Sequence, residues 1–307
     1  MRRAAAALSL ILGLAACRAD TPSTSASTAA SADLAAADST APFSPPGVAS
    51  RLDAAAGLDS AFADDPGAFV VMDAGSGARV ATARADVRRS AASTFKIPHT
   101  VRALDLGIVA DTAARLDYDT AAYPRADWWP ATWQPGLTIG QAFRASAVPV
   151  YRQIGAQIGR ERAEAGLAAF AYGNRTVGPD SVGADADSYW LDGSLRISPA
   201  EQVTFLARLW ARVHGVGTLP ASPEAARAVR SFMRLDSVAA PEGGHAVLFG
   251  KTGWQNTNGD EAAWLVGVVE RGGRAYPYAF VLDRDPATSS ERRDRTLALL
   301  RAAGVWP

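Results

Sequence analysis

The first pattern of apolar and polar positions in the folded part lies in "AFVVMDAGSGARVATA" (68–83). Two β-type runs flank a Gly-Ser-Gly turn there, the pattern of a hairpin. Helical spacing follows. "IPHTVRALDLG" (97–107) carries apolar residues at helical spacing and stops at Gly107. Residues 111–190 are mixed, with helical stretches such as "PVYRQIGAQIGRERAEAGLAAF". "SPAEQVTFLARLWARVHG" opens with Ser198 as N-cap, Pro199 at the first helical position and Glu201 two further on, which predicts a capping-box helix. "SPEAARAVRSFMRL" (222–235) repeats that opening. Three strand-like runs follow, "HAVLFGKTG", "AAWLVGVVE" and "YPYAFVLD", and a helix closes the chain in "SSERRDRTLALLRAAGV".

The order of strands, helices, strands and a last helix predicts an α+β domain. Its antiparallel sheet is built from both ends of the chain, with flanking helices and an inserted helical region. The seam between sheet and helical region is the natural cleft.

The N-terminus does not fit that pattern. "MRRAAAALSLILGLAAC" has Arg2 and Arg3, an apolar run to Leu14, then Ala-Ala-Cys, the layout of a secretory signal. The run is short for a membrane span. Leu14-Ala15-Ala16-Cys17 resembles a bacterial lipoprotein box, in which Cys17 becomes the lipidated first residue; a plain signal peptide cut nearby is the alternative. Either way residues 1–17 predict export, to a periplasmic location with membrane attachment through Cys17 on the lipoprotein reading. Residues 18–47 are Ser, Thr, Ala and Pro with few large apolar side chains, so they read as a flexible linker. The folded domain is expected over 48–307. The 307-residue chain is 48% hydrophobic, enough for a sizeable core. Cys17 is the only cysteine, which excludes an internal disulfide. Basic and acidic residues number 31 each, and no basic stripe with interleaved aromatics suggests nucleic acid.

Charge type is more telling than charge balance. Of the 31 basic residues only Lys96 and Lys251 are lysine. Arginine stays protonated in proteins, whereas a buried lysine can lose its proton and act as base. Lys96 lies three residues after Ser93 in "SAASTFKIPHT", a spacing that puts both side chains on one helix face. Phe95 and Ile97 flank it, so Lys96 is expected to be partly buried with a lowered pKa. Lys251 ends an apolar strand in "FGKTGWQ", beside Thr252 and Gly253. Ser146 lies in "RASAVPVY" within the helical region. His99, His214 and His245 are scattered without metal-ligand spacing, so no metal is expected, and His99 reads as helix surface. No Gly-x-Ser-x-Gly elbow is present. Trp128, Trp129 and Trp133 read as core or cleft wall.

Five motifs occur in a fixed order: Ser93-Thr94-Phe95-Lys96, Ser146-Ala147-Val148, Tyr172-Gly173-Asn174, Trp190-Leu191 with "DGSLRIS", and Lys251-Thr252-Gly253-Trp254. From about residue 50 to the end the chain resembles the class D β-lactamases, within the penicillin-recognising serine enzymes. The resemblance implies hydrolysis of β-lactam antibiotics through an acyl-enzyme on Ser93. It implies that Lys96 reacts with carbon dioxide to give a carbamate, the general base, and that no further cofactor is needed. Phe95, Val148, Trp190 and Leu191 would form the apolar carbamate pocket, with the Trp190 indole N–H on the carbamate. Ser146 would relay a proton toward the lactam nitrogen, with Lys251 supplying positive potential beside it. Backbone N–H groups of Ser93 and Trp254 would form the oxyanion hole. Thr252, Gly253 and Trp254 would line the substrate site. Counting from Asp283 makes Arg293 the carboxylate anchor, with Arg292 second. The loop "RTVGPDSVGADADSY" (175–189) is longer than in the family and leaves the substrate profile open. A penicillin-acylated sensor, or a cell-wall transpeptidase or carboxypeptidase, shares the fold and stands as the alternative.

Overall fold

The computed structural model describes residues 58–178, 187–191, 193–257, 260–284 and 287–307. Cys17, the 18–47 linker, the expected domain start at Val48 and the middle of the 175–189 loop lie outside them. All described residues belong to the unit Ala41–Pro307.

A 3-10 turn (Leu58–Phe62) leads into β1 (Gly67–Met72), which forms the expected hairpin with β2 (Arg79–Ala81), Val70 opposite Ala81. Asp73 fixes the turn, accepting the Gly75 N–H at 2.9 Å on one carboxylate oxygen and the buried Arg274 guanidinium at 2.6 Å on the other. The short strand β3 (Arg89–Ser90) precedes a 3-10 turn (Ala92–Phe95) and helix α1 (Lys96–Asp105). Strands β4 (Arg115–Leu116) and β5 (Leu137–Thr138) pair with each other ahead of α2 (Ile139–Ala145), α3 (Val148–Ile158) and α4 (Arg160–Phe170). The single helical stretch expected over 149–170 is thus two helices. Gly159 divides them, with a φ of 74° that a residue with a side chain rarely adopts. Strand β6 (Arg196–Ile197) pairs with β3.

Helix α5 (Pro199–Val213) has the expected capping box: Ser198 Oγ accepts the Glu201 N–H at 3.2 Å, and Glu201 accepts the Ser198 N–H at 2.9 Å. Helix α6 (Pro223–Met233) has only half of it. Ser222 caps the Ala225 N–H, but the acid is Glu224, one residue too early to reach back. Four strands follow, one more than the apolar runs predict. The extra one is β7 (Arg234–Ala239), an edge strand whose exposed polar positions concealed it. It precedes β8 (His245–Thr257), β9 (Asp260–Arg271) and β10 (Arg274–Leu282), and α7 (Ser289–Ala302) ends the chain.

The six-stranded antiparallel sheet runs β2-β1-β10-β9-β8-β7, so both chain ends build it as expected. Helices cover both faces. The larger core lies between the sheet and α1–α6; the smaller holds Leu299, Leu300 and Trp306 against Phe69, Tyr278 and Phe280. Burial on both faces explains why "YPYAFVLD" is apolar throughout rather than alternating.

Candidate active site

Within residues 89–101 every side chain is buried except Ser93, which is partly exposed. The preceding residue, Ala92, has a φ of +46°, a left-handed conformation that costs a non-glycine residue on the order of 1–3 kcal/mol. The kink turns Ser93 out of a wall that is otherwise closed. Strand β8 crosses this turn at Gly253, where a Cβ would stand 2.9 Å from Thr94 Cγ2 and 3.2 Å from the Thr94 nitrogen. Glycine is required for that approach, and the approach brings the Lys251-Thr252-Gly253-Trp254 segment alongside Ser93.

Lys96 opens α1, and its Nζ lies 2.8 Å from Ser93 Oγ. The side chain is fully buried, and among the described residues no carboxylate pairs with it. Burial pushes its pKa well below the usual lysine value, and the nearby Lys251 lowers it further. The Trp190 ring face lies 4.2 Å from Nζ and that of Tyr151 5.2 Å. Such faces attract an ammonium by about 2 kcal/mol when desolvated, less than complete burial costs, so burial favours the neutral amine over the ammonium. Phe95 and Trp190 are buried, while Val148 and Leu191 are partly buried at the rim of the same core. The Trp190 indole N–H is donated to the Asp187 carbonyl at 3.1 Å, so its ring face, not its N–H, meets Lys96.

Ser146 ends α2 in a left-handed conformation, φ 54°. Lys251 Nζ donates to Ser146 Oγ at 3.1 Å and to the Thr252 carbonyl at 2.9 Å. Burial, reinforced by Arg292, lowers the Lys251 pKa to about 7, so this amine can give or take a proton near neutrality. Trp133 donates its indole N–H to the Ala145 carbonyl at 2.8 Å and supports the Ser146 turn from behind. Trp128, expected in the core or cleft wall, is 69% exposed and stacks edge-on against Trp133.

The two arginines considered for the carboxylate anchor make different contacts. Arg293 pairs with Asp236 at 2.5 Å. Arg292 donates to the Gly253 carbonyl at 2.8 Å and depresses the Lys251 pKa. His99, expected on the surface, is buried 2% exposed against Phe95, Tyr151 and Trp190, and burial lowers its pKa to about 3.

Sequence reasoning missed the polar scaffold beneath the turn. Gln202 donates to Thr94 Oγ1 at 2.8 Å and accepts from the Tyr172 hydroxyl at 3.4 Å, while Thr94 Oγ1 donates to the Ala91 carbonyl at 2.6 Å. The only signal was a glutamine on the apolar side of α5. Gly173, at φ +56°, passes so close to Arg196 that a Cβ would stand 2.2 Å from the Arg196 carbonyl oxygen; Asn174 accepts the Arg196 N–H at 3.0 Å. Those contacts fix the base of the long loop. Asp187, also unforeseen, is buried at its far end, bound by Arg152 at 2.9 Å and Tyr123 at 3.1 Å.

The penicillin binding protein transpeptidase domain family matches residues 67–299. Beta-lactamase OXA-5 of Pseudomonas aeruginosa is 34% identical over 227 residues, 73% of this chain and 78% of that protein. The chain belongs to the class D β-lactamase family. The class D enzyme YbXI from Nostoc superposes with a TM-score of 0.67 at 27% identity, over 84% of this chain and 99% of that one. FUS-1 (OXA-85) from Fusobacterium nucleatum gives 0.66 at 28% identity, over 80% and 94%. The regulatory protein BlaR1 of Bacillus licheniformis is 29% identical over 72% of this class D chain, which spans 33% of that longer protein.

Proposed function

We propose that this class D chain hydrolyses β-lactams through an acyl-enzyme on Ser93, with a carboxylated Lys96 as general base. One observation carries the reading: a fully buried amine with a lowered pKa lies 2.8 Å from the one partly exposed hydroxyl of its segment. The relatives' names as beta-lactamases supply the substrate class.

Lys96 adds to carbon dioxide through its lone pair, forms an N–C bond and loses one proton, which leaves an anionic carbamate. That group takes the Ser93 proton as Oγ bonds to the lactam carbonyl carbon. The ring C–N bond breaks, and its nitrogen takes a proton from Ser146, which Lys251 replaces. The proton that the carbamate took from Ser93 passes to Lys251, which restores both groups. A water then gives a proton to the carbamate while its oxygen bonds to the acyl carbon, and Ser93 Oγ leaves with that proton. The Ser93 and Trp254 backbone N–H groups meet the oxyanion. Arg292, with Thr252, holds the substrate carboxylate through its planar fork. The Trp190 N–H, now on Asp187, is the donor this reading recruits to the carbamate.

Chromogenic cephalosporin in bicarbonate buffer tests it. Sustained turnover is expected from the wild type. Ser93→Ala should show none and no covalent adduct by intact mass. Lys96→Arg should fall roughly 10²–10⁴-fold, the usual contribution of a general base. The BlaR1 likeness favours a second reading, a domain that is acylated and deacylates slowly. A single burst equal to the enzyme concentration would establish that instead. We further propose export with lipid attachment at Cys17, on the Arg–apolar–Cys order of residues 1–17.

A further inference from the structure

A second pocket lies behind Phe95, away from Ser93, where α1 crosses α4. Its available space is about 20 Å³, room for one small solvent species. His99 and Arg102 line it, three apart on one face of α1. The His99 Nδ1 and the Arg102 Nε are both buried without a hydrogen-bond partner. Buried polar atoms are nearly always satisfied, so two orphans in one cavity call for an occupant.

The lining identifies its charge. Arg162 also faces the pocket, and no aspartate or glutamate does. Arg162 is partly answered, since it donates to the Gln157 and Ile158 carbonyls at the end of α3. Arg102 forms no ion pair among the described residues and packs flat over Gly166, where a Cβ would stand 3.0 Å from Nε. Arg102 is partly exposed, so solvent meets part of its guanidinium; a water could bridge the two buried nitrogens but would bring no negative charge to a lining whose charged side chains are both arginine. We propose that this pocket binds one small monovalent anion of halide size, held by the Arg102 Nε–H and the His99 Nδ1–H. The neutral state of His99 fits, because its single ring proton is then free to sit on Nδ1.

Crystals of the wild type soaked in sodium bromide, with data collected at the bromine edge, test the site. An anomalous peak within hydrogen-bond distance of both nitrogens is expected. In solution, bromide should raise the melting temperature by about 3 °C over gluconate at equal ionic strength, and Arg102→Met should lose that rise. Density without anomalous signal, or bromide only beside Arg292 in the catalytic cleft, would overturn the proposal. Should Arg102→Met not fold, the diffraction experiment on the wild type decides alone.

Discussion

Lys251 shows what the site costs the fold. An unfolded lysine titrates near 10.4, whereas burial and Arg292 hold Lys251 near 7. The folded state therefore binds fewer protons than the unfolded one between those values, and stability rises with pH across that window. Below pH 7 the penalty is fully present. Lys251→Met should accordingly be more stable than the wild type at pH 7, by on the order of 1–3 kcal/mol, while losing turnover. The advantage should shrink as pH approaches 10, which urea denaturation at the two pH values would measure. An advantage constant with pH would mean that packing, not charge, sets it. At this scale the sequence was readable where chemistry depends on residue type. Two lysines among 29 arginines marked the site, and both lie there. It was less readable where direction matters. Arg292 and Arg293 are adjacent, yet successive helix positions point about 100° apart, so counting along the chain does not separate the one bound to the Gly253 carbonyl from the one paired with Asp236. His99 was misread because residues 96–101 of α1 are buried on every side, and a polar residue in such a stretch looks like surface when seen alone.

Among elements, the crossing of β8 over the Ser93 turn is the one on which the proposed mechanism depends. Gly253→Ala would force a Cβ against Thr94 and Trp264. A displacement of under 1 Å is expected, with a loss of stability of about 1–3 kcal/mol. Activity should fall further, by roughly 10²-fold in kcat/KM, since reacting groups tolerate little misplacement. Steady-state kinetics beside thermal melts would separate the two, and unchanged kcat/KM would show that the strand does not set the geometry. The capping box of α5 offers the opposite case. Ser198→Ala should cost about 1 kcal/mol, read as a melting temperature lower by about 2–4 °C, with kcat/KM within twofold of the wild type. Elements with a strong period or cap were legible, including the hairpin, α5 and β8–β10. Strand β7 was not, because an edge strand exposed to solvent need carry no apolar alternation.

For the whole molecule, the expected anchoring is tested by fractionation. The wild type should sediment with membranes and Cys17→Ser should be recovered in the soluble exported fraction; equal recovery of both would leave a simple signal peptide. The sheet carries a different lesson. Its interior pairing joins β1 to β10, Gly67 opposite Leu282, and the wall that holds Lys251 against Ser146 is flanked by β9 and β7. A growing polypeptide of 240 residues already contains Ser93, Lys96 and Ser146, but β8, β9 and β10 are still to be made. Until they emerge, β1 has only its hairpin partner, and the turn bearing Ser93 has no strand across it. On the proposed mechanism, Ser93 is thus translated early and becomes competent last. The unpaired edge of β1 is in the meantime exposed to any other strand, and folding waits on contacts more than two hundred residues apart, the kind that form slowly.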